Sequence, residues 1–128
     1  MANPLYGQNK ADSEIANSSD VSVYQKEYTE TAAVGADNGV VRCLELNHAS
    51  VIIAITGMHG KDYAGQVVII KDTSASGTAA HLCTLASGTW DGTNTIVTLN
   101  AANEAIAVYF DSGGDGTILE NVGGVALS

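Results

Sequence analysis

The sequence is poor in residues that stiffen or staple a chain, with one proline, two cysteines, one tryptophan and one phenylalanine in 128 residues. A disulfide framework is therefore excluded as the organising device: Cys43 and Cys83 allow one bridge at most, and each sits in an apolar run of the kind that buries a free thiol. Positive charge is equally scarce. Five basic residues stand against 14 acidic ones for a net charge of −9, and no lysine or arginine follows Lys71. Direct nucleic-acid binding needs clustered cations to neutralise phosphates, so it is disfavoured. No apolar run approaches the roughly 18 residues of a membrane span, and the basic-then-apolar order of a secretory signal is missing. A soluble, cytoplasmically made chain without membrane contact is expected, and in that setting the sequon at Asn17-Ser18-Ser19 is incidental.

What is present divides the chain in two. Residues 1–38 hold few large apolar side chains, and none at a spacing that builds a core, yet they carry three of the five tyrosines, Tyr6, Tyr24 and Tyr28. Pro4 favours an extended path, and the run from Val21 through Val23 to Tyr24 is long enough only for a short strand. This reads as an extended N-terminal arm that needs a partner surface. Its boundary is the polar stretch ending at Asn38-Gly39.

From Val40 the pattern changes to short apolar runs separated by Gly, Asn, Asp and Ser, the signature of an all-β domain over residues 39–128. Strands are predicted over 40–46, 51–56, 66–71, 79–85, 95–99, 105–111, 117–122 and 125–127. In Ala105 to Phe110 the large residues Ile106, Val108 and Phe110 share one face, while Val67 to Ile70 is apolar on both. The second pattern predicts a central strand that is covered on two sides or meets a neighbouring subunit. Asp91-Gly92 and the run Ser112 to Gly116 put glycine where positive φ is cheap, which predicts tight connections between consecutive strands. The expected fold is all-β, an antiparallel β-sandwich or jelly-roll-like domain behind an extended arm.

The residues that could carry chemistry are thinly spread. Among His48, His59 and His81, only His81 has a ligand-type neighbour at strand spacing, Cys83, and two groups do not make a metal site. Asp111 and Asp115 lie in a glycine run that echoes a calcium loop, but a single copy reads as a hairpin turn. No nucleophile elbow, phosphate loop or carboxylate pair in a recognisable motif is visible, so no catalytic residue, metal or cofactor is expected. Trp90 and Tyr109 are the candidates for a glycan-stacking platform, against the plainer role of core or interface.

Several phrases resemble a family. They are Met1-Ala-Asn-Pro-Leu-Tyr-Gly-Gln-Asn-Lys10, Val67-Val-Ile-Ile-Lys71-Asp72, Gly88-Thr-Trp-Asp-Gly-Thr-Asn94, Asn100-Ala-Ala-Asn-Glu-Ala105 and Leu119-Glu-Asn-Val-Gly123. They are similar to small virion structural proteins of marine tailed phages, including cyanophages, and in size and organisation a capsid decoration, or cement, protein is the nearest kind. The resemblance is looser over residues 11–59. It implies a place on the outer surface of the virion head, the major capsid protein as partner, and a homo-oligomer, often a trimer. In that setting Pro4, Leu5, Tyr6, Ile15, Tyr24 and Tyr28 become the capsid-contact candidates. Ordering a residue costs about 1 to 2 kcal/mol while burying a tyrosine returns roughly 4 to 6, so these anchors cannot order 38 residues alone. Backbone pairing to a sheet edge or the avidity of several copies is needed as well. The alternative function is a receptor- or glycan-binding module of a tail fibre or spike, using Trp90 and Tyr109.

Overall fold

The computed structural model describes residues 24–29, 33–35, 37–75 and 79–128. It is the all-β sandwich the sequence predicts, built from ten strands in two five-stranded sheets. The first sheet holds β1 (Gln25–Tyr28), β3 (Cys43–Leu46), β5 (Val67–Asp72), β8 (Ala105–Phe110) and β9 (Gly116–Val122), in that spatial order. The second runs β10 (Ala126–Leu127), β7 (Ile96–Leu99), β6 (His81–Ser87), β4 (Ala54–His59) and β2 (Ala33–Gly35). We call them the acidic and the neutral sheet, for a difference in charge set out below. A 3-10 turn, Gly60–Tyr63, links β4 towards β5.

The sheets are mixed, where the sequence suggested antiparallel pairing throughout. From β1 to β6 the chain changes sheet at every connection, and each new strand lies parallel to the one two before it: β1 with β3, β3 with β5, β2 with β4, β4 with β6. The first six strands thus wind as three turns of a flattened coil. After β6 the pairing becomes antiparallel, β6 with β7, β5 with β8, β8 with β9 and β7 with β10. The physical reason lies in the turns. Asp91-Gly92 and Ser112 to Gly116 lie between β6 and β7 and between β8 and β9, and in both places the chain folds back on its own sheet. Between β1 and β6 no such turn intervenes, and each crossing brings the next strand in parallel to its neighbour, whereas the later crossings, β7 to β8 and β9 to β10, bring strands in antiparallel.

The core lies between the sheets and follows strand periodicity. Leu44, Ile70 and Val108 from one sheet meet Ile55, Cys83 and Val97 from the other, all buried. At one end Phe110 packs against Tyr63 and Trp90, with ring centroids 5.8 and 5.5 Å apart. The β8–β9 hairpin tip closes on this end so tightly that a Cβ on Gly60 or Gly88 would sit 1.9 or 2.1 Å from the Gly114 carbonyl oxygen. Only glycine fits there.

The coil begins inside the segment that composition assigned to the arm. β1 and β2 are the edge strands of their sheets, and Tyr28 is fully buried among the core residues. Its hydroxyl donates to Asp37 Oδ2 at 2.9 Å, and Lys26 Nζ reaches the same oxygen at 2.9 Å. These two hydrogen bonds hold the Asp37 carboxyl below its ordinary range, while burial and the neighbouring carboxylate push the Tyr28 phenol upward. The segment is polar because Gln25, Lys26 and Glu27 are exposed and only its last residue enters the core.

Candidate functional site

The outward side of the acidic sheet is the strongest candidate for a working surface. Its register is read from strand pairing. Val67 on β5 lies opposite Tyr109 on β8, which lies opposite Thr117 on β9. The next outward row runs Gln25, Cys43, Ile69, Ala107 and Glu120, and the third Glu27, Glu45, Lys71, Ala105 and Val122. Val67 and Ile69 are each 41 % exposed, Tyr109 40 % and Val122 47 %, and Leu119 on β9 reaches 54 %. These residues give β5, β8 and β9 an apolar outward strip, interrupted by Glu120 between Leu119 and Val122 and flanked by Lys71 on β5 and Glu45 on β3. Of the two settings predicted for Val67 to Ile70, the central position is met by β5, but its outward residues are open rather than covered. Covering the strip would remove about 400 Å² of largely apolar surface, on the order of the largest patch a typical monomer exposes.

β1, the first described strand, is the edge of this same sheet. Of the six arm candidates, Pro4, Leu5, Tyr6 and Ile15 lie outside the described residues. Tyr24 is exposed, with the Arg42 guanidinium 3.8 Å above its ring centre and the Arg42 N–H donating to its carbonyl at 2.8 Å. The structure places Tyr28 in the core, so its ring is not available as a surface anchor.

Trp90 and Tyr109 are not brought together as a platform. Trp90 is fully buried with its indole N–H donating to the Thr95 carbonyl at 3.0 Å, and its ring packs on Phe110 inside the sandwich. Tyr109 points the other way, onto the exposed strip.

No family model, curated protein or solved structure matches this chain.

The remaining polar candidates serve the fold. His81 is buried and both ring nitrogens are occupied: the Ile53 N–H donates to Nδ1 at 3.0 Å, which leaves Nε2–H to donate to the His48 carbonyl at 3.0 Å. Asp111 Oδ1 accepts the N–H groups of Gly113 and Asp115, closing the hairpin tip, and Asp115 Oδ1 accepts the Thr89 hydroxyl. Asp91 caps its loop by accepting the Thr93 and Asn94 N–H groups, and these bonds lower its pKa. Among the described residues no three His, Cys, Asp or Glu side chains gather as a metal set would. Both thiols are free: Cys43 is half-buried on the outward row of the acidic sheet, whereas Cys83 lies in the core, where burial pushes its thiol up to about 12.

One feature that motif reasoning missed is a pair of buried carboxylates at the end of the sandwich away from Trp90, Asp72 as the last residue of β5 and Glu104 just before β8. The Asp72 N–H donates to the Glu104 carbonyl at 2.9 Å. Asp72 Oδ1 accepts the Ser74 N–H, and Glu104 Oε1 accepts the Asn100 N–H, so each carboxylate stitches down a loop. Parity was the available signal, since Asp72 continues the inward series of Val68 and Ile70, and Glu104 that of Ile106 and Val108.

Proposed function

We propose that this chain is a capsid decoration protein of the tailed-phage kind, attaching to the outside of the head through its N-terminal arm and the apolar strip of the acidic sheet. The observation that carries this reading is the strip itself: Val67, Ile69, Tyr109, Leu119 and Val122 exposed on the sheet at whose edge the arm enters. The resemblance of the sequence to small virion proteins supplies the kind of partner. By bridging neighbouring capsid subunits, such a protein opposes the outward strain of packaged DNA.

The magnitudes require both parts. About 400 Å² of apolar cover is worth roughly 10 kcal/mol before association is counted, and association costs an estimated 4 to 15. The strip alone therefore gives weak binding. The arm, now residues 1–23 because β1 and β2 belong to the sandwich, spans up to about 75 Å when extended, enough to reach a second capsid subunit. The net charge of −9 suits an outer surface that need not approach DNA and discourages clumping of particles.

The test is cosedimentation with heads stripped of this protein. Residues 24–128 alone and the full-length Ile69→Glu variant should both stay folded and both lose most of their binding. Full binding by both would overturn the proposal.

A further inference from the structure

The two sheets differ in a way the proposed function does not use. None of the 5 basic and 14 acidic residues of the chain falls in β2, β4, β6, β7 or β10, the five strands of the neutral sheet. The other sheet carries Lys26, Glu27, Glu45, Lys71, Asp72 and Glu120 in its strands. An inward face without charge is ordinary. An outward face without charge, five strands wide on a protein of −9, is not, because an open antiparallel or mixed sheet normally turns charged residues to water.

The outward rows of the neutral sheet follow from its register. Ala54, Leu82, Thr98 and Ala126 form one row, and Thr84 lies opposite Ile96 in the next. Ile52, 45 % exposed just before β4, extends the face. These row residues are uncharged and, Ala126 apart, half-buried, and His59 lies exposed at the end of β4.

We infer that the neutral sheet is the face by which this chain pairs with a second copy of itself, sheet against sheet about a two-fold axis. Charge decides the occupant. Two chains of −9 repel wherever their acidic surfaces meet, and self-pairing through the acidic sheet would bring together rims bearing Glu27, Glu45 and Glu120. The neutral sheet lets two copies approach without opposing like charges. Area sets the strength. The five strands, two to seven residues long and about 4.8 Å apart, give a footprint of about 350 Å² in flat projection and somewhat more as accessible surface, the size of a weak interface below the roughly 800 Å² per partner of a standard one. Two flat faces of this kind pack about 10 Å apart with strands nearly aligned, and a two-fold pairing sets Leu82, on the middle strand, close to the axis. The inference does not depend on what the arm or the apolar strip binds.

The test is the mass of the full-length protein in solution by sedimentation equilibrium, at low and at high salt. The wild-type chain should be a dimer, held more tightly as salt rises, because screening relieves the repulsion between the copies while the contact itself holds no ion pairs. Leu82→Glu and Leu82→Lys should each halve the mass with an unchanged circular dichroism spectrum, and mixing the two variants should restore the dimer. Ile69→Glu, on the opposite sheet, should leave the mass unchanged, which separates this interface from the head-binding strip. A wild-type monomer at high salt, a trimer, or a dimer that both Leu82 variants leave intact would overturn the inference.

Discussion

Replacing Tyr28 tests whether β1 is docked as part of the sandwich or hangs from it as an arm. If residues 25–28 belonged to a detachable arm, Tyr28→Ala would leave the stability of the domain unchanged. In the structure the ring is fully buried among core residues and its hydroxyl donates to Asp37 Oδ2 at 2.9 Å. Tyr28→Phe removes only that hydrogen bond, and because Asp37 is partly open to water the loss should fall at or just below the low end of the range for charged partners, about 1 to 1.5 kcal/mol. Tyr28→Ala also removes the ring and leaves a cavity, for a total of about 3 to 5 kcal/mol. A domain of this size has about 5 to 15 kcal/mol in all, so Tyr28→Ala should remove about a fifth of it or more. Urea unfolding at pH 7, followed by far-ultraviolet circular dichroism, measures both losses. Truncation gives the matching control: deleting residues 1–23 should leave the urea midpoint in place, and deleting residues 1–30 should lower it at least as far as Tyr28→Ala. A Tyr28→Ala protein within about 0.5 kcal/mol of wild type would refute the docking of β1.

Two further predictions concern the fold. Cys83, Tyr28 and Tyr63 are buried and their pKa values raised, mainly by desolvation, so the stability they confer is complete below their unfolded values and is lost as pH rises toward the folded ones. The urea midpoint should hold steady up to about pH 9 and then fall, each group adding up to about 1.4 kcal/mol per pH unit, with Cys83→Ala delaying the onset by roughly one unit; a flat profile to pH 11 would contradict this. Gly88 and Gly92 both have positive φ, but only at Gly88 would a Cβ strike the Gly114 carbonyl. Gly88→Ala should cost about 2 to 4 kcal/mol and Gly92→Ala about 1, and equal losses in thermal unfolding would show that the hairpin tip does not close on β6.

Much of the fold was legible because alternation and turn chemistry are local. All eight strands expected after residue 39 form, most with ends displaced by only one to three residues, and the two glycine-rich turns mark where the chain doubles back within a sheet. The parallel coil was not legible. Periodicity says which face of a strand is buried but not which strand lies beside it, and a crossover between sheets leaves no residue signature comparable to Asp91-Gly92. β1 escaped for a related reason: a polar edge strand contributes one core side chain, Tyr28, and a lone tyrosine in polar sequence looks like an anchor. Of the candidate surface, the apolar outward half of Val67 to Ile70 was visible in sequence. Its continuation through Tyr109 and Val122 depends on cross-strand register, which only the structure supplies.

A cryo-electron microscopy map of the virion that carries this protein would decide whether the arm and the acidic sheet grip the outside of a phage head. Density for the sandwich should lie on the outer surface of the shell, with Val67, Ile69 and Tyr109 turned toward the capsid and the 23 residues before Tyr24 traceable along it. Density on the tail, or on the head with the acidic sheet facing solvent and no ordered chain before Tyr24, would contradict that grip.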